Sequence, residues 1–105
     1  MKNLTELMKQ AGLMQARMAD MQKKLEMIIV QGQSGGGMVK VQMTGKSVVT
    51  NIKIDPSLMK PEEKEILEDV LIAALSDAKN KAEAVMAEEM KTVTGGMPMP
   101  PGFSL

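Results

Sequence analysis

The sequence predicts an α+β fold: a long N-terminal helix, a three-stranded antiparallel meander and a second long helix. Three observations carry this reading. Leu4, Leu7, Ala11, Met14, Met18, Met21, Leu25 and Ile28 recur at alternating intervals of 3 and 4, the seam of a helix that buries a narrow apolar edge against another helix. From Val39 to Ile54 apolar and polar residues alternate instead, which is the period of half-buried strands. Beyond Pro61 the apolar positions return to helical spacing and keep it to about Lys91.

The first helix is expected to begin at Asn3, whose side chain caps the first turn while Glu6 reaches back in a capping box, and to end near Ile28. At 1.5 Å per residue it spans about 39 Å, more than a compact domain of this size needs. With ~100° per residue and Lys9 at zero, Lys23 falls at about −40°, Lys2 at about 20°, Lys24 at about 60° and Arg17 at about 80°. The five cations therefore share an arc of about 120°, opposite a seam that covers roughly 100° to 220°. Two readings stand for this arc. It is either a stripe that tracks phosphates or a solvated polar face, since Glu6 and Asp20 lie in it and Asp20 is placed to pair with Lys24 one turn on.

In the strand region Val39, Val41 and Met43 alternate with Lys40, Gln42 and Thr44, and Val48, Thr50, Ile52 and Ile54 alternate with Ser47, Val49, Asn51 and Lys53. A turn at Gly45 and Lys46 joins these two strands, and a weaker first strand from Val30 to Ser34 turns at Gly35, Gly36 and Gly37. Lys40, Lys46 and Lys53 occur here without any acid, so the solvent side of the sheet is expected to be mildly basic. Gly45, Lys46 and Ser47 look like part of a phosphate loop. The earlier glycine of that motif is replaced by Lys40 and a strand follows instead of a helix, so nucleotide binding is rejected. The triple glycine likewise has no helix N-terminus after it to receive an anion, and reads as a hairpin tip.

Asp55 and Pro56 break the third strand. Pro61, Glu62 and Glu63 then form the start expected of a helix. Its early half, with Ile66, Leu67, Val70, Leu71, Ala74, Leu75 and Ala78, is apolar enough to cover the sheet. The later half, from Lys79 to Lys91, is rich in Ala and charge and reads as an arm that needs another helix beside it. Neighbouring carboxylates such as Glu62 and Glu63, Glu68 and Asp69, or Glu88 and Glu89 point apart on a helix and suit a solvated surface better than acid–base chemistry. Gly95 and Gly96 are expected to stop the helix, leaving residues 1–96 as one domain and 97–105 as a Pro-rich tail in which Phe103 is a candidate for docking within a dimer.

Composition narrows the function. The 105 residues include no Cys, His, Trp or Tyr and a single Phe, which removes the common zinc ligands, thiol nucleophiles and imidazole bases together. No catalytic residue, metal or cofactor is therefore assigned. Without a charged leader or an apolar run near the roughly 18 residues of a membrane span, a soluble intracellular protein with no membrane partner is expected. Formal net charge is zero, but residues 1–54 hold eight of 13 basic and three of 13 acidic groups, a balance of +5, and the remainder, five against ten, carries −5. Any polyanion would have to bind a local surface. The 13 Met residues read as apolar filler at the seam or as an adaptable interaction surface. Two helices of this length exceed what one small chain can cover, which predicts a homodimer with a seam of Leu7, Met14, Met18, Met21 and Leu25.

Leu7, Met8, Lys9, Gln10 and Ala11, then Ser34 to Gly37 followed by Val39, Lys40 and Val41, then Ile54 to Leu58, then Leu67, Glu68 and Asp69, and last Pro100 to Phe103 resemble, in order, the hallmarks of the YbaB/EbfC nucleoid-associated proteins. The resemblance covers nearly the whole chain. It implies αβββα order in a bacterial homodimer with projecting helical arms, located in the cytoplasm and on the nucleoid. It also implies double-stranded DNA as the partner, with no small-molecule substrate. Lys9 lies in the motif itself; Arg17, Lys23 and Lys24 join it through the arc, and Lys79, Lys81 and Lys91 of the later arm through their charge. Thr50 and Asn51 stand where some relatives carry a basic pair. The resulting expectation is a DNA-binding dimer that contacts phosphates without base readout. The alternative is a helical interaction module whose Met-rich arms hold an unidentified protein partner.

Overall fold

A computed structural model describes residues 2–94. Helix α1 (Lys2–Met27) leads into strands β1 (Ile29–Ser34), β2 (Val39–Thr44) and β3 (Val49–Ile54), and helix α2 (Lys64–Thr94) closes the order. The three strands form one antiparallel sheet in the order β1-β2-β3. Short 3-10 turns occupy Gly35–Gly37, Pro56–Leu58 and Pro61–Glu63. This is the α+β, αβββα arrangement that the sequence predicts. The expected helix stop at Gly95 and Gly96, and the tail with Phe103, lie outside the described residues.

Three local details differ from expectation. Asn3 lies inside the first turn of α1; a terminal residue assigned from capping chemistry alone shifts easily by one or two positions. The β2–β3 connection is longer than a two-residue turn, because Ser47 adopts a positive φ of 66° and Thr44 receives the Ser47 N–H while donating its own N–H to Val48. Third, the register slips: Gln42 faces Asn51 but Met43 faces Val49, so Thr50 is the extra residue of a bulge. The bulge places Val49, not Val48 or Thr50, in line with Ile52 and Ile54 opposite the buried Met43, Val41 and Val39. At the other hairpin all three glycines have positive φ, 61°, 66° and 92°, a backbone that L residues resist and glycine does not.

Helix α2 lies over β1 and β2. Ala74, Ala78 and Ala82 form its fully buried stripe, and with Val39, Val41, Met43 and Leu58 they make the main core, flanked by Leu67, Val70, Leu71 and Leu75. Gly32 permits this closeness: a Cβ there would run into the Ala78 backbone nitrogen and the Ala74 carbonyl oxygen. Ile66, expected in the cover, is instead half exposed, because it flanks the alanine stripe. The Ser34 hydroxyl donates to the Val70 carbonyl, and the Gln33 N–H to Asp77 at 3.0 Å.

Past Ala82 the second helix leaves the sheet and pairs with α1. Met21, Leu25 and Val93 are buried between them, with Met18, Ile28, Val85, Met86 and Met90 around the rim. The late part of α2 thus has the companion helix that its thin apolar edge requires. Gly45 anchors the arm to the sheet, donating its N–H to the carbonyls of Leu25 and Ile28 at 3.0 Å each. The chain extends over 72 × 25 × 17 Å. Among the described residues no helix is long and apolar enough to cross a membrane.

Candidate nucleic-acid interface

Of the five cations predicted in the α1 arc, Lys9, Arg17, Lys23 and Lys24 have described side chains, and all four lie on exposed helix surface. Lys9, Arg17 and Lys23 are all exposed, and among the described residues none has a carboxylate within ion-pair distance. Lys24, the fourth member, is tied: its Nζ lies 3.1 Å from Oε1 of Glu89 on α2, in place of the Asp20 pairing expected within α1. The difference is one of geometry. The α1–α2 contact brings Glu89 to the edge of the arc, whereas Asp20 lines the open cleft between the helices with Arg17, Lys24 and Thr92. Two cations and two carboxylates border that cleft, so it concentrates little positive charge. Arg17 sits at the edge of this cleft, and beyond it Lys9 and Lys23 continue the cationic run along the exposed surface, with Glu6 in the same arc.

On the second helix Lys79 is exposed and has no carboxylate partner among the described residues. Lys81 is engaged twice, donating to the Gln31 carbonyl at 2.8 Å and pairing with Asp77 at 3.2 Å. Lys91 pairs with Glu88 at 3.4 Å. The cations proposed on this arm are thus split between Lys79, with no carboxylate partner among the described residues, Lys81, which ties α2 to β1, and Lys91, in a surface pair with Glu88.

The Asp77 carboxyl sits below its ordinary range, first because the Gln33 N–H points at it and then because of Lys81. Asp55 is lowered in the same way by the Ser57 N–H, 2.8 Å away, at the turn after β3. Both carboxylates secure backbone at the sheet's rim. Sequence reasoning did not find the Asp77 tether or the Lys24–Glu89 pair, because each joins residues far apart in the chain and no local pattern announces them.

The five seam residues separate into two groups. Met21 and Leu25 are buried against the chain's own α2, and Met18 is half-buried beside them. Met14 and Leu7 are exposed, as are Leu4 and Leu13, with Leu7 60% accessible. The apolar edge of α1 therefore continues past the end of its intramolecular partner.

Comparison with known proteins agrees with this architecture. A family model described as the YbaB/EbfC DNA-binding family matches residues 1–97. A nucleoid-associated protein of Nitrobacter hamburgensis is 51% identical over 105 residues, spanning 100% of this chain and 99% of the relative. One from Bradyrhizobium is 53% identical over 103 residues, 98% of this chain and 97% of the relative. The crystal structure of an uncharacterized protein from Helicobacter pylori superposes with a TM-score of 0.69 at 28% identity, covering 89% of this chain and 94% of the other.

Proposed function

The chain belongs to the YbaB/EbfC DNA-binding family, and from that membership we propose that it acts as a nucleoid-associated homodimer that grips duplex DNA through phosphates, with little regard to sequence. The DNA-binding, nucleoid-associated role is the one carried by the family and by relatives about half identical over the full chain. These are the names of DNA-binding proteins and not of an enzyme. The finer reading concerns how the DNA is held.

The observation that supports it is the run of Lys9, Arg17 and Lys23, without carboxylate partners among the described residues, along an exposed helix that projects from the sheet. Guanidinium and ammonium groups on a helix surface meet phosphate oxygens without reading base edges. The chain has no Trp or Tyr and one Phe, so base stacking on aromatic rings contributes little. A second copy serves both helix and sheet. α2 covers β3 only in part, leaving Val49 and Ile52 about two-fifths exposed on the apolar side, and an isologous two-fold contact would bury that side in both copies.

The test is a fourfold variant in which Lys9, Arg17, Lys23 and Lys24 become Gln. It should remain folded and bind unrelated duplexes far more weakly, and alike. Wild-type binding should be of order micromolar at physiological salt and weaken with a log–log slope of about −0.9 per phosphate contact. Equal binding by the variant at low salt would remove the arc from the interface.

A further inference from the structure

The outer face of the sheet, away from α2, carries charge that no ion pair among the described residues neutralises. The buried side chains of Val39, Val41 and Met43 turn inward to α2, so the intervening Lys40, Gln42 and Thr44 point to the opposite side. Register then builds a small grid. Gln33, Lys40 and Lys53 lie side by side across the three strands, and Gln31, Gln42 and Asn51 form the next row. Strands are about 4.8 Å apart and alternate residues about 6.7 Å apart, so the six side chains share one patch. Lys40 and Lys53 are directly opposite, an arrangement of like charges that a sheet resists.

No Asp or Glu occurs between Glu26 and Asp55, and the carboxylates at the rim are already engaged. Glu26 pairs with Lys46 at 3.3 Å, Asp55 accepts the Ser57 N–H at 2.8 Å, and Asp77 holds the Gln33 N–H and Lys81. Lys40 and Lys53 are exposed, and no ion pair relieves them among the described residues. We propose that this face, with Lys40 and Lys53 flanked by carboxamides, is a second contact surface for the phosphate backbone of duplex DNA. Two adjacent ammonium groups attract a polyanion, and Gln and Asn amides donate to phosphate oxygens. The patch has no aromatic ring to stack an unpaired base, which favours a duplex over a single strand. The proposal rests on the DNA-binding reading but not on the helix arc, and gives the molecule a phosphate contact at the sheet as well as on the arm.

The experiment measures duplex binding by fluorescence anisotropy against salt for the full chain and three double variants. Lys40→Gln with Lys53→Gln should keep the wild-type unfolding midpoint or raise it slightly, and make the log–log slope shallower by about 1.8 per engaged protomer, ~0.9 for each lost contact. Lys40→Arg with Lys53→Arg keeps the charges and should restore the slope. Lys60→Gln with Lys64→Gln removes the same charge beside the acidic start of α2 and should leave the slope unchanged. If the first variant keeps the wild-type slope while wild type binds, the sheet face is not a contact and the arc reading is untouched. An equal loss in the Lys60, Lys64 variant would reduce the effect to net charge and overturn the proposal. If wild type fails to bind at low salt, this inference and the function reading fall together.

Discussion

Gly32 sets the distance between helix and sheet. Its missing side chain lets the Ala74–Ala78 stretch of α2 rest on β1 backbone, and the alanine stripe matters only because the strand opposite has no Cβ to hold it off. Replacing Gly32 with Ala would force the helix outward against a packed core, a class of overpacking that costs about 3 kcal/mol at its upper end. Urea titration of that variant should show a lower midpoint with little change in slope. Asp77 makes a separate, charge-dependent attachment at the same edge. Its folded-state carboxyl is lowered by the Gln33 N–H and then by Lys81, so the stabilisation is complete above the unfolded value of about 3.9 and is lost as pH falls through the lower folded value. Asp77→Asn should therefore melt below wild type at neutral pH, and the two curves should converge in acid. A gap independent of pH would mean that ionisation at Asp77 adds nothing.

At the scale of elements, α1 shows what a periodic pattern does and does not reveal. The 3-4 spacing of Leu4 to Ile28 announced that one edge wants burial, and Leu25 and Met21 are indeed buried. It could not say against what, because the same edge serves an intramolecular partner near the sheet and stays open near Leu4 and Leu7. Strands β2 and β3 were legible from alternation, yet the Thr50 bulge was not, since Val48, Val49 and Thr50 suit either register and packing against β2 makes the choice. The cationic arc was legible from angle alone. Glu89, the partner of Lys24, was not, because it reaches that lysine only through the α1–α2 contact, whereas Asp77 stands four residues before Lys81 on the same helix, a spacing the sequence does display. The division of the seam makes a prediction. Met21→Lys puts an ammonium into the buried arm contact and should destabilise the monomer fold strongly, by a few kcal/mol, whereas Met14→Lys, 39% exposed in the single chain, should leave it nearly unchanged. Thermal unfolding of the two single variants separates these outcomes, and equal losses would show that Met14 is buried by something other than its own chain.

The whole molecule is far from a minimal surface. Its Cα radius of gyration is 19.3 Å, against about 13 Å for a compact chain of ~100 residues. That shape leaves apolar groups only partly covered on β3 and on the outer part of α1, and the pairing of α1 with the late part of α2 keeps the α1 cations at the other end of that helix from Glu62, Glu63 and Glu65. A projecting arm suits contact with a long polyanion, while the partly covered strand calls for a second protein surface. Val49 at 42% and Ile52 at 41% accessibility face the same way as the buried Met43 and Val41 across the register, so β3 presents an apolar edge that the chain itself covers only in part. In an isologous two-fold contact residue i of one copy meets residue j of the other and j meets i, so a single substitution enters the interface twice. Ile52→Lys would then bury one ammonium from each copy in a desolvated interface while costing the isolated monomer little, because the position is half open there. Sedimentation equilibrium at micromolar concentration should give a dimer for wild type and a folded monomer for Ile52→Lys. A monomeric wild type would refute the dimer, and a variant that remains dimeric would move the interface off β3 and onto the exposed Leu4–Met14 stretch of α1.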